Sequence, residues 1–291
     1  MSAGNEVKEA KKKGTLFIVP TPIGNLGDIT ERAIEVLAQV DAIAAEDTRH
    51  SGPLMQHLGI KTPLITLHEH NESQKTAVLI EQLQQGKSLA LISDAGTPLI
   101  SDPGYTLVRQ CRQAQLPVVA LPGPCAITTA LSAAGLATDR FTFEGFLPAK
   151  PQQRRKQLSE LATETRTMVF YESPHRILHT LADLSTHLDS EREIVLAREL
   201  TKQFETYLSG TAAQLLEKLT ADRNQQRGEM VIIVAGQRKE KVAADILPEA
   251  QKAMTLLCQE LPLKKAAAIC AGLYDERKNA LYQWALENLN K

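Results

Sequence analysis

Aromatic side chains are scarce in this chain: Phe, Tyr and Trp make up 4% of 291 residues, with a single Trp. That excludes a broad aromatic platform on which successive nucleic-acid bases stack. An excess of one charge is missing too. Lys and Arg number 33 against 34 Asp and Glu, so no global field draws in a polyanion. A nucleic acid must then be met by local basic clusters. The four cysteines, Cys111, Cys125, Cys258 and Cys270, form no C-x-x-C and suggest neither a zinc site nor a disulfide framework. A reducing cytoplasm fits that usage. No G-x-x-x-x-G-K-[ST] is present, no G-x-G-x-x-G follows a strand, and no serine sits in a nucleophile elbow. The polar, lysine-rich start from Met1 to Gly14 has no apolar core, so it reads as a solvated tail and not as a secretory signal. The longest uncharged stretch, Gln115 to Thr138, has spanning length. Pro117, Pro122, Gly123 and Pro124 break it into strand, turn and helix of a soluble core, and no membrane is expected.

What is present is a set of small-residue loops at strand ends. Ser93 to Gly104 reads Ser-Asp-Ala-Gly-Thr-Pro-Leu-Ile-Ser-Asp-Pro-Gly and directly follows the apolar run Ser88 to Ile92. Small residues let a ligand lie against the main chain, while Asp94 and Asp102 can meet hydroxyls or a positive charge. Val19 to Leu26 leaves a first strand, Thr15 to Val19, and Leu121 to Ala126 leaves the strand Pro117 to Ala120. If these strands are parallel, all three loops gather at one edge of the sheet, where open α/β sheets bind ligands. The pattern suits an organic ligand held by backbone.

Strands and helices alternate from Thr15 to about Ala134, as in a mostly parallel, doubly wound sheet. Asp28-Ile29-Thr30-Glu31 reads as a capping-box-like helix start, with Ile29, Ala33, Val36, Leu37 and Val40 on one apolar face. Phe141, Phe143 and Phe146 alternate as in a strand and lead into the basic cluster Arg154-Arg155-Lys156. A second α/β region then has strands at Thr167 to Tyr171, Glu193 to Ala197 and Glu229 to Ala235, a β-prone run at Phe204 to Leu208, and helices at Pro174 to Leu188 and Ala212 to Leu219. Arg238 to Lys241 reads as a charged linker, and Pro248 to Asn290 as three short helices in a helix-turn-helix-like unit. The expected fold is therefore α/β, with a flexible basic tail (1–14), two α/β domains (15–135 and 136–237) and a helical segment (238–291).

Three other segments bear polar chemistry at strand ends: Glu46 to His50, Tyr171 to Arg176, and Ala197 to Lys202. Gly228 permits close backbone approach at the start of the last strand. His68 and His70 share one face of an extended segment and could bind metal only if a third ligand such as His50 or His57 joined them; with no H-E-x-x-H or comparable spacing, no metal is expected.

In order along the chain stand Val-Pro-Thr-Pro-Ile-Gly-Asn-Leu, Glu-Asp-Thr-Arg-His, Ser-Asp-Ala-Gly-Thr-Pro-Leu-Ile-Ser-Asp-Pro-Gly, Leu-Pro-Gly-Pro-Cys-Ala, Phe-Tyr-Glu-Ser-Pro-His-Arg and Ala-Arg-Glu-Leu-Thr-Lys. Together they resemble the tetrapyrrole methylase superfamily. Within it they resemble the branch that 2′-O-methylates a cytidine ribose in 16S ribosomal RNA. The resemblance implies two α/β domains with S-adenosylmethionine in the cleft between them, a homodimer, and the small ribosomal subunit or its RNA as partner. Carried over by residue, it implies a cofactor site of Pro22, Asp94, Ala95, Gly96, Thr97, Ile100, Ser101, Cys125, Ala126, Tyr171, Ala197, Gly228 and Glu229. The first loop, Thr21-Pro22-Ile23-Gly24-Asn25, departs from the Gly-rich turn of porphyrin-modifying members and favours the RNA branch.

A ribose hydroxyl is a weak nucleophile at neutral pH, so a base or a stabilising charge is required. Glu46, Asp47, Asp102 and Glu172 are the unranked carboxylate candidates, with His175 and Lys202 as alternatives. Arg49, Lys150, Arg154, Arg155, Lys156 and Arg176 are candidate phosphate contacts, and Lys264 and Lys265 a second footprint. Two other readings stay open: a tetrapyrrole-type small-molecule methyltransferase, and a non-catalytic RNA-binding ribosome-assembly factor.

Overall fold

The computed structural model describes residues 13–68, 71–237 and 246–289. Met1 to Lys12, His70 and the Arg238 to Lys241 linker lie outside the described residues. The chain divides into two compact units, one ending at Gln237 and the other beginning at Arg238.

The larger unit contains two five-stranded sheets. The first is wholly parallel, in the order β3 (Leu64–Thr66), β2 (Ala42–Ala45), β4 (Leu89–Ile92), β1 (Leu16–Ile18), β5 (Val118–Ala120). Parallel strands are covered on both faces and so read as continuous apolar runs; all four residues of β2 and of β4 are buried. Leu89 and Leu91 face Leu79 and Leu83 of α3 (Glu72–Gln84) and Leu107 and Cys111 of α4 (Tyr105–Gln113). Ala90 and Ile92 face Ala33 and Leu37 of α1 (Glu31–Gln39) and Met55 of α2 (Thr48–His57). The α1 cap is Thr30, whose hydroxyl accepts from the Ala33 amide, so the helix starts two residues beyond the position the Asp28 pattern predicts.

The second sheet runs β6 (Phe141–Phe146), β7 (Thr167–Glu172), β10 (Met230–Val234), β8 (Ile194–Arg198), β9 (Thr206–Gly210). Only β6 and β7 are parallel; the other pairs are antiparallel. One face packs on α6 (Pro151–Glu160), α7 (Ile177–His187) and α8 (Ala212–Ala221) through Leu158, Ile177, Leu181, Leu184, Leu215 and Leu219. The other face holds Val169, Val195, Ala197, Val231 and Ile233, and is covered by Ile127, Ala130 and Leu131 of α5 (Ala126–Ala134). This helix leaves the last strand of the first sheet, so one apolar cluster joins the two halves.

Three differences from the sequence reading stand out. The basic cluster after β6 is part of α6, started by Pro151 in the first turn. Arg154 points inward: it is 4% exposed, with Nε 2.7 Å from Asp183 Oδ2, and Arg155 Nε meets the other oxygen at 2.9 Å. Arg154 therefore holds α6 to α7 and is withdrawn from the phosphate contacts. The second helix of this half begins at Ile177, three residues beyond Pro174. Lys13, placed in the tail by sequence, donates to the Ala114 and Gln115 carbonyls at 3.4 and 3.2 Å.

The smaller unit is three helices, α9 (Pro248–Glu260), α10 (Leu263–Tyr274) and α11 (Lys278–Asn288), around Ala250, Met254, Ala266, Ala267, Cys270, Leu281 and Ala285. Asp275 ends α10 in the left-handed conformation (φ 54°) and so turns the chain into α11. Lys264 and Lys265 are exposed on α10. Among the described residues no helix is long and apolar enough to cross a membrane.

Burial works against the Asp183 charge, but Arg155 and Arg154 outweigh it and hold its pKa below the ordinary value. Asp183→Ala leaves a buried guanidinium unpaired and is expected to cost about 3–5 kcal/mol in urea unfolding at pH 7. Because the folded pKa is depressed, this stabilisation is present at neutral pH and is lost as pH falls below 3.8, the ordinary value, towards the folded one. The difference between wild type and variant should shrink over that window. Truncation of the joining helix, Leu131→Ala, is expected to cost about 2–5 kcal/mol by the same measurement.

Candidate functional site

Three loops leave the carboxyl edge of the parallel sheet and are stitched together by backbone. Thr21 and Gly96 form an antiparallel bridge, each amide donating to the other's carbonyl at 2.9 Å. The Thr97 hydroxyl donates to the Pro124 carbonyl at 2.8 Å, which ties in the third loop. Gly96 has φ 81°, a conformation that disfavours side chains, and an added Cβ would lie 3.2 Å from Ile23 Cγ2. Leu99 (φ 73°) and Ser101 (φ 67°) also adopt the left-handed region without being glycine. Such positive φ values concentrate where surrounding structure over-determines the backbone.

Across from these loops stand the carboxyl ends of β7 and β8 and the start of the antiparallel β10. The two edges enclose a cavity of about 320 Å³. This is within the range of small-molecule sites, roughly 300–1,000 Å³. Ala95, Gly96, Thr97, Ile100, Cys125, Ala126, Tyr171 and Glu229 of the sequence-derived site line it. Pro22 and Asp94 line a neighbouring cavity instead. Ser101 and Gly228 are absent from both walls. Ala197 is fully buried in the cluster beneath α5, where it supports the floor of the site without touching the space. Gly228 serves packing: at φ 87° its missing Cβ makes room for the Glu199 carboxyl group.

Sequence reasoning missed Ile23, Phe146, Leu200, Met230 and Val231, the apolar part of the wall. Ile23 and Leu200 lie within the recognised motifs, but apolar side chains there, like Phe146, Met230 and Val231, carry no pattern of their own that marks a ligand wall. Phe146 and Phe143 stack edge-on against Tyr171, with ring centroids 5.5 and 4.9 Å apart. Burial, with Cys125 and Asp102 nearby, holds the Tyr171 hydroxyl well above its ordinary pKa.

The four carboxylate candidates separate clearly. Glu172 is 4% exposed and fully engaged: it accepts from the Ser173 amide at 2.7 Å and the Thr180 hydroxyl at 2.6 Å, and pairs with Arg176 at 2.7 Å. Asp47 pairs with Arg49, which lowers its pKa to about 2. Both are structural anions. Glu46 and Asp102 behave oppositely. Burial raises the pKa of Glu46, and the charges of Asp102 and Asp94 add to it. Burial likewise raises Asp102, with Asp94 adding and a Ser93 hydrogen bond opposing. Of the four, Asp102 lines the first cavity, beside Glu172.

The alternatives to a carboxylate also resolve. Burial disfavours the Lys202 charge, but Glu229 and Glu199 outweigh it and raise its pKa, so it is a poor proton acceptor. Its ammonium lies 2.9 Å from Glu229 and 3.0 Å from Glu199. Its stem fills the place a Gly24 side chain would take, which packs the loop after β8 against the first loop. Arg198 of the same motif is turned inward and donates to the carbonyls of Phe204, Asn224 and Arg227. His175 is exposed and absent from both cavity walls. Among the described residues no cluster of three His, Cys, Asp or Glu side chains is arranged to hold a metal.

The comparisons agree with this architecture. The tetrapyrrole (corrin/porphyrin) methylase profile matches residues 15–216, and the RsmI C-terminal HTH domain profile matches residues 244–289. The ribosomal RNA small subunit methyltransferase I of Haemophilus influenzae is 59% identical over 96% of this chain and 98% of its own length. Its namesakes from Escherichia coli O157:H7 and Pseudomonas aeruginosa are 56% and 55% identical, over 94% and 96% of this chain and 96% and 99% of their own. Among solved structures, the methyltransferase CobJ aligns with a TM-score of 0.57 at 18% identity, covering 77% of this chain and 95% of its own. Uroporphyrin-III-C-methyltransferase from Thermus thermophilus aligns with a TM-score of 0.54 at 21% identity, over 77% and 94%. At those identities the structures speak for the fold alone. The chain belongs to the tetrapyrrole methylase family, and its extended likeness is to the ribosomal RNA small subunit methyltransferases I.

Proposed function

We propose that this protein methylates 16S ribosomal RNA of the small ribosomal subunit with S-adenosylmethionine, at the 2′-hydroxyl of a cytidine. The observation that carries the reading is the cavity between the two sheet edges, in a chain 59% identical over 96% of its length to an enzyme named for this substrate. The residues present fit the cofactor. Ile23, Ile100, Leu200 and Val231 offer apolar walls to the adenine and the methionine chain, and Gly96 lets the ligand approach the backbone. Asp102 faces the cavity, and the nearby Asp94 and Glu46 reinforce the negative field that a sulfonium cation relieves.

When bound, that cofactor supplies a methyl group activated by its sulfonium, so the carbon–sulfur bond breaks as the carbon–oxygen bond forms. The protein must orient the ribose oxygen, exclude water and take up the hydroxyl proton. Asp102 is assigned the last task, because of the carboxylates that line the cavity Glu172 is paired with Arg176 and Glu229 with Lys202, whereas burial raises the pKa of Asp102. Tyr171, with Phe146 and Phe143 against it, shields the site from solvent. Exposed Arg49, Lys150, Arg155 and Lys156 are assigned to RNA phosphates, with Lys264 and Lys265 of the helical unit as a separate footprint. Arg176, partly buried and paired with Glu172, is the remaining candidate. The reading also carries two domains at 15–135 and 136–237, a cytoplasmic location and a homodimer. The exposed Val78 and Tyr105, on the adjacent helices α3 and α4, offer apolar surface for the last.

Transfer of labelled methyl to unmethylated small subunits, with naked RNA and a porphyrin precursor in parallel, tests the reading. Label at a ribose of 16S RNA is the expected result; label in the porphyrin alone would replace it with a small-molecule reaction. Asp102→Asn is expected to lower turnover on RNA by roughly 10²–10⁴-fold while the cofactor still binds. The raised carboxyls also set a pH dependence. As pH rises above the ordinary values, 3.8 for Asp102 and 4.5 for Glu46, towards their folded ones, negative charge accumulates beside the cavity. The preference for cationic S-adenosylmethionine over neutral S-adenosylhomocysteine, measured by calorimetry, should therefore increase across that window and flatten in Asp102→Asn.

A further inference from the structure

The loop that joins β8 to β9 turns one side to the cofactor cavity, where Leu200 forms part of the wall. It also carries Phe204, which is 65% exposed in a chain with six phenylalanines. A lone apolar side chain in water is ordinary on a protein surface; one held out by a braced loop beside a reaction site is not. The bracing begins within the loop. The Lys202 amide donates to the Glu199 carbonyl at 3.0 Å and the Glu205 amide to the Lys202 carbonyl at 3.1 Å, while the Glu205 carboxylate accepts from the Thr201 amide. Glu199 (φ 52°) and Thr201 (φ 65°) hold the left-handed conformation without being glycine. Arg198, 6% exposed, then ties the loop to its neighbour. Its Nη1 donates to the Phe204 carbonyl at 3.3 Å, and its Nη2 to the Asn224 and Arg227 carbonyls at 3.1 Å each. Phe204 therefore stands beside the turn Arg223–Gln226 and the Arg227 that follows it.

Charge at this place suits a polyanion. Arg223 and Arg227 are exposed, and neither pairs with a carboxylate among the described residues. The acids beside them are already engaged. Asp222 accepts from the Asn224 amide at 2.9 Å and from the Gln225 side chain at 3.1 Å, and Glu205 closes its own loop. We infer that Phe204, Arg223 and Arg227 form a contact for a single-stranded stretch of RNA, with one base stacked on the Phe204 ring and the adjoining phosphates met by the two arginines. Unstacked RNA bases are gripped in this way, on an aromatic face with cations alongside. The scarcity of aromatics excludes a platform for many bases but not a single stacking point. The inference rests on the ribosomal RNA reading above and adds to it a strand contact outside both cavities, since none of the three residues lines either one. Leu200 and Phe204 belong to one braced loop, so this contact fixes the strand with respect to the cofactor cavity.

Substitutions at the three positions test it. Phe204→Ala removes an exposed ring, so the thermal midpoint should stay level or rise. On unmethylated small subunits kcat/KM is expected to fall roughly tenfold to a hundredfold, with the dissociation constant for S-adenosylmethionine unchanged. Phe204→Leu keeps apolar bulk without a π-face and should behave as the alanine variant does, whereas Phe204→Trp should retain turnover. Arg223→Gln combined with Arg227→Gln should weaken subunit binding and flatten its logarithmic salt dependence by about 0.7 for each arginine. Short-wavelength ultraviolet irradiation of the wild-type protein with small subunits should join a nucleotide to the peptide that carries Phe204. Wild-type kcat/KM in Phe204→Ala, a leucine variant as active as the tryptophan one, or a cross-link to a ribosomal protein in place of RNA would overturn the contact. A shift from dimer to monomer in Phe204→Ala, by sedimentation, would overturn it as well by placing the ring in a subunit interface. The two readings fail differently. A wild-type protein that binds the cofactor but labels no RNA refutes the functional reading, and the contact falls with it. Normal RNA labelling by the variants refutes the contact alone.

Discussion

The contact on which the site depends is the burial of α5 against the second sheet. Ile127, Ala130 and Leu131 leave a strand of the parallel sheet and cover Val169, Val195, Ala197, Val231 and Ile233 of the other. The second sheet has its remaining helices on its opposite face. Without α5 that apolar surface would face water, at roughly 25 cal/mol for each Å² exposed. The same packing brings the carboxyl edge of one sheet against the edge of the other where β7 and β8 end. Cys125 and Ala126, at the start of α5, line the cavity that results. Stability and the wall of the cavity are thus built on one helix.

Charge is distributed around that joint in two ways. Structural carboxylates are satisfied: Asp183 by two arginines, Glu172 by Arg176, Thr180 and the Ser173 amide, Glu199 by Lys202. Around the cavity the balance is reversed. Glu46, Asp94 and Asp102 repel one another in a partly desolvated place, and the pKa shifts of Glu46 and Asp102 record the strain. A compensating cation inside the protein would have removed it. The uncompensated field is what a cationic ligand would use.

Much of the fold is legible in the sequence. Fully buried parallel strands such as Ala42–Ala45 and Leu89–Ile92 announce themselves as unbroken apolar runs, and Gly and Pro punctuate their ends. The loops at Thr97 and Cys125 are recognisable for the same reason: backbone that must approach a ligand permits few residue types. The helix from Pro151 is not legible, because its only buried side chains are Leu158 and the charged Arg154. A cluster Arg-Arg-Lys reads as solvated charge unless the opposing Asp183, 29 residues away, is known to face it.

The sequence by itself determined the alternation of elements, the small-residue loops and the set of carboxylates from which a catalytic group is drawn. These follow from local rules: side-chain periodicity, backbone freedom and residue chemistry act within a few positions of one another. Only the tertiary structure decided which carboxylates are spent on ion pairs, which gather with other carboxylates in a partly desolvated place, and that two cavities share a wall at Ile23, Ala95 and Glu229. Desolvation and Coulomb interactions depend on distances between residues far apart in the chain, such as Glu46 and Asp102. Those distances are set by how the two sheets meet across α5.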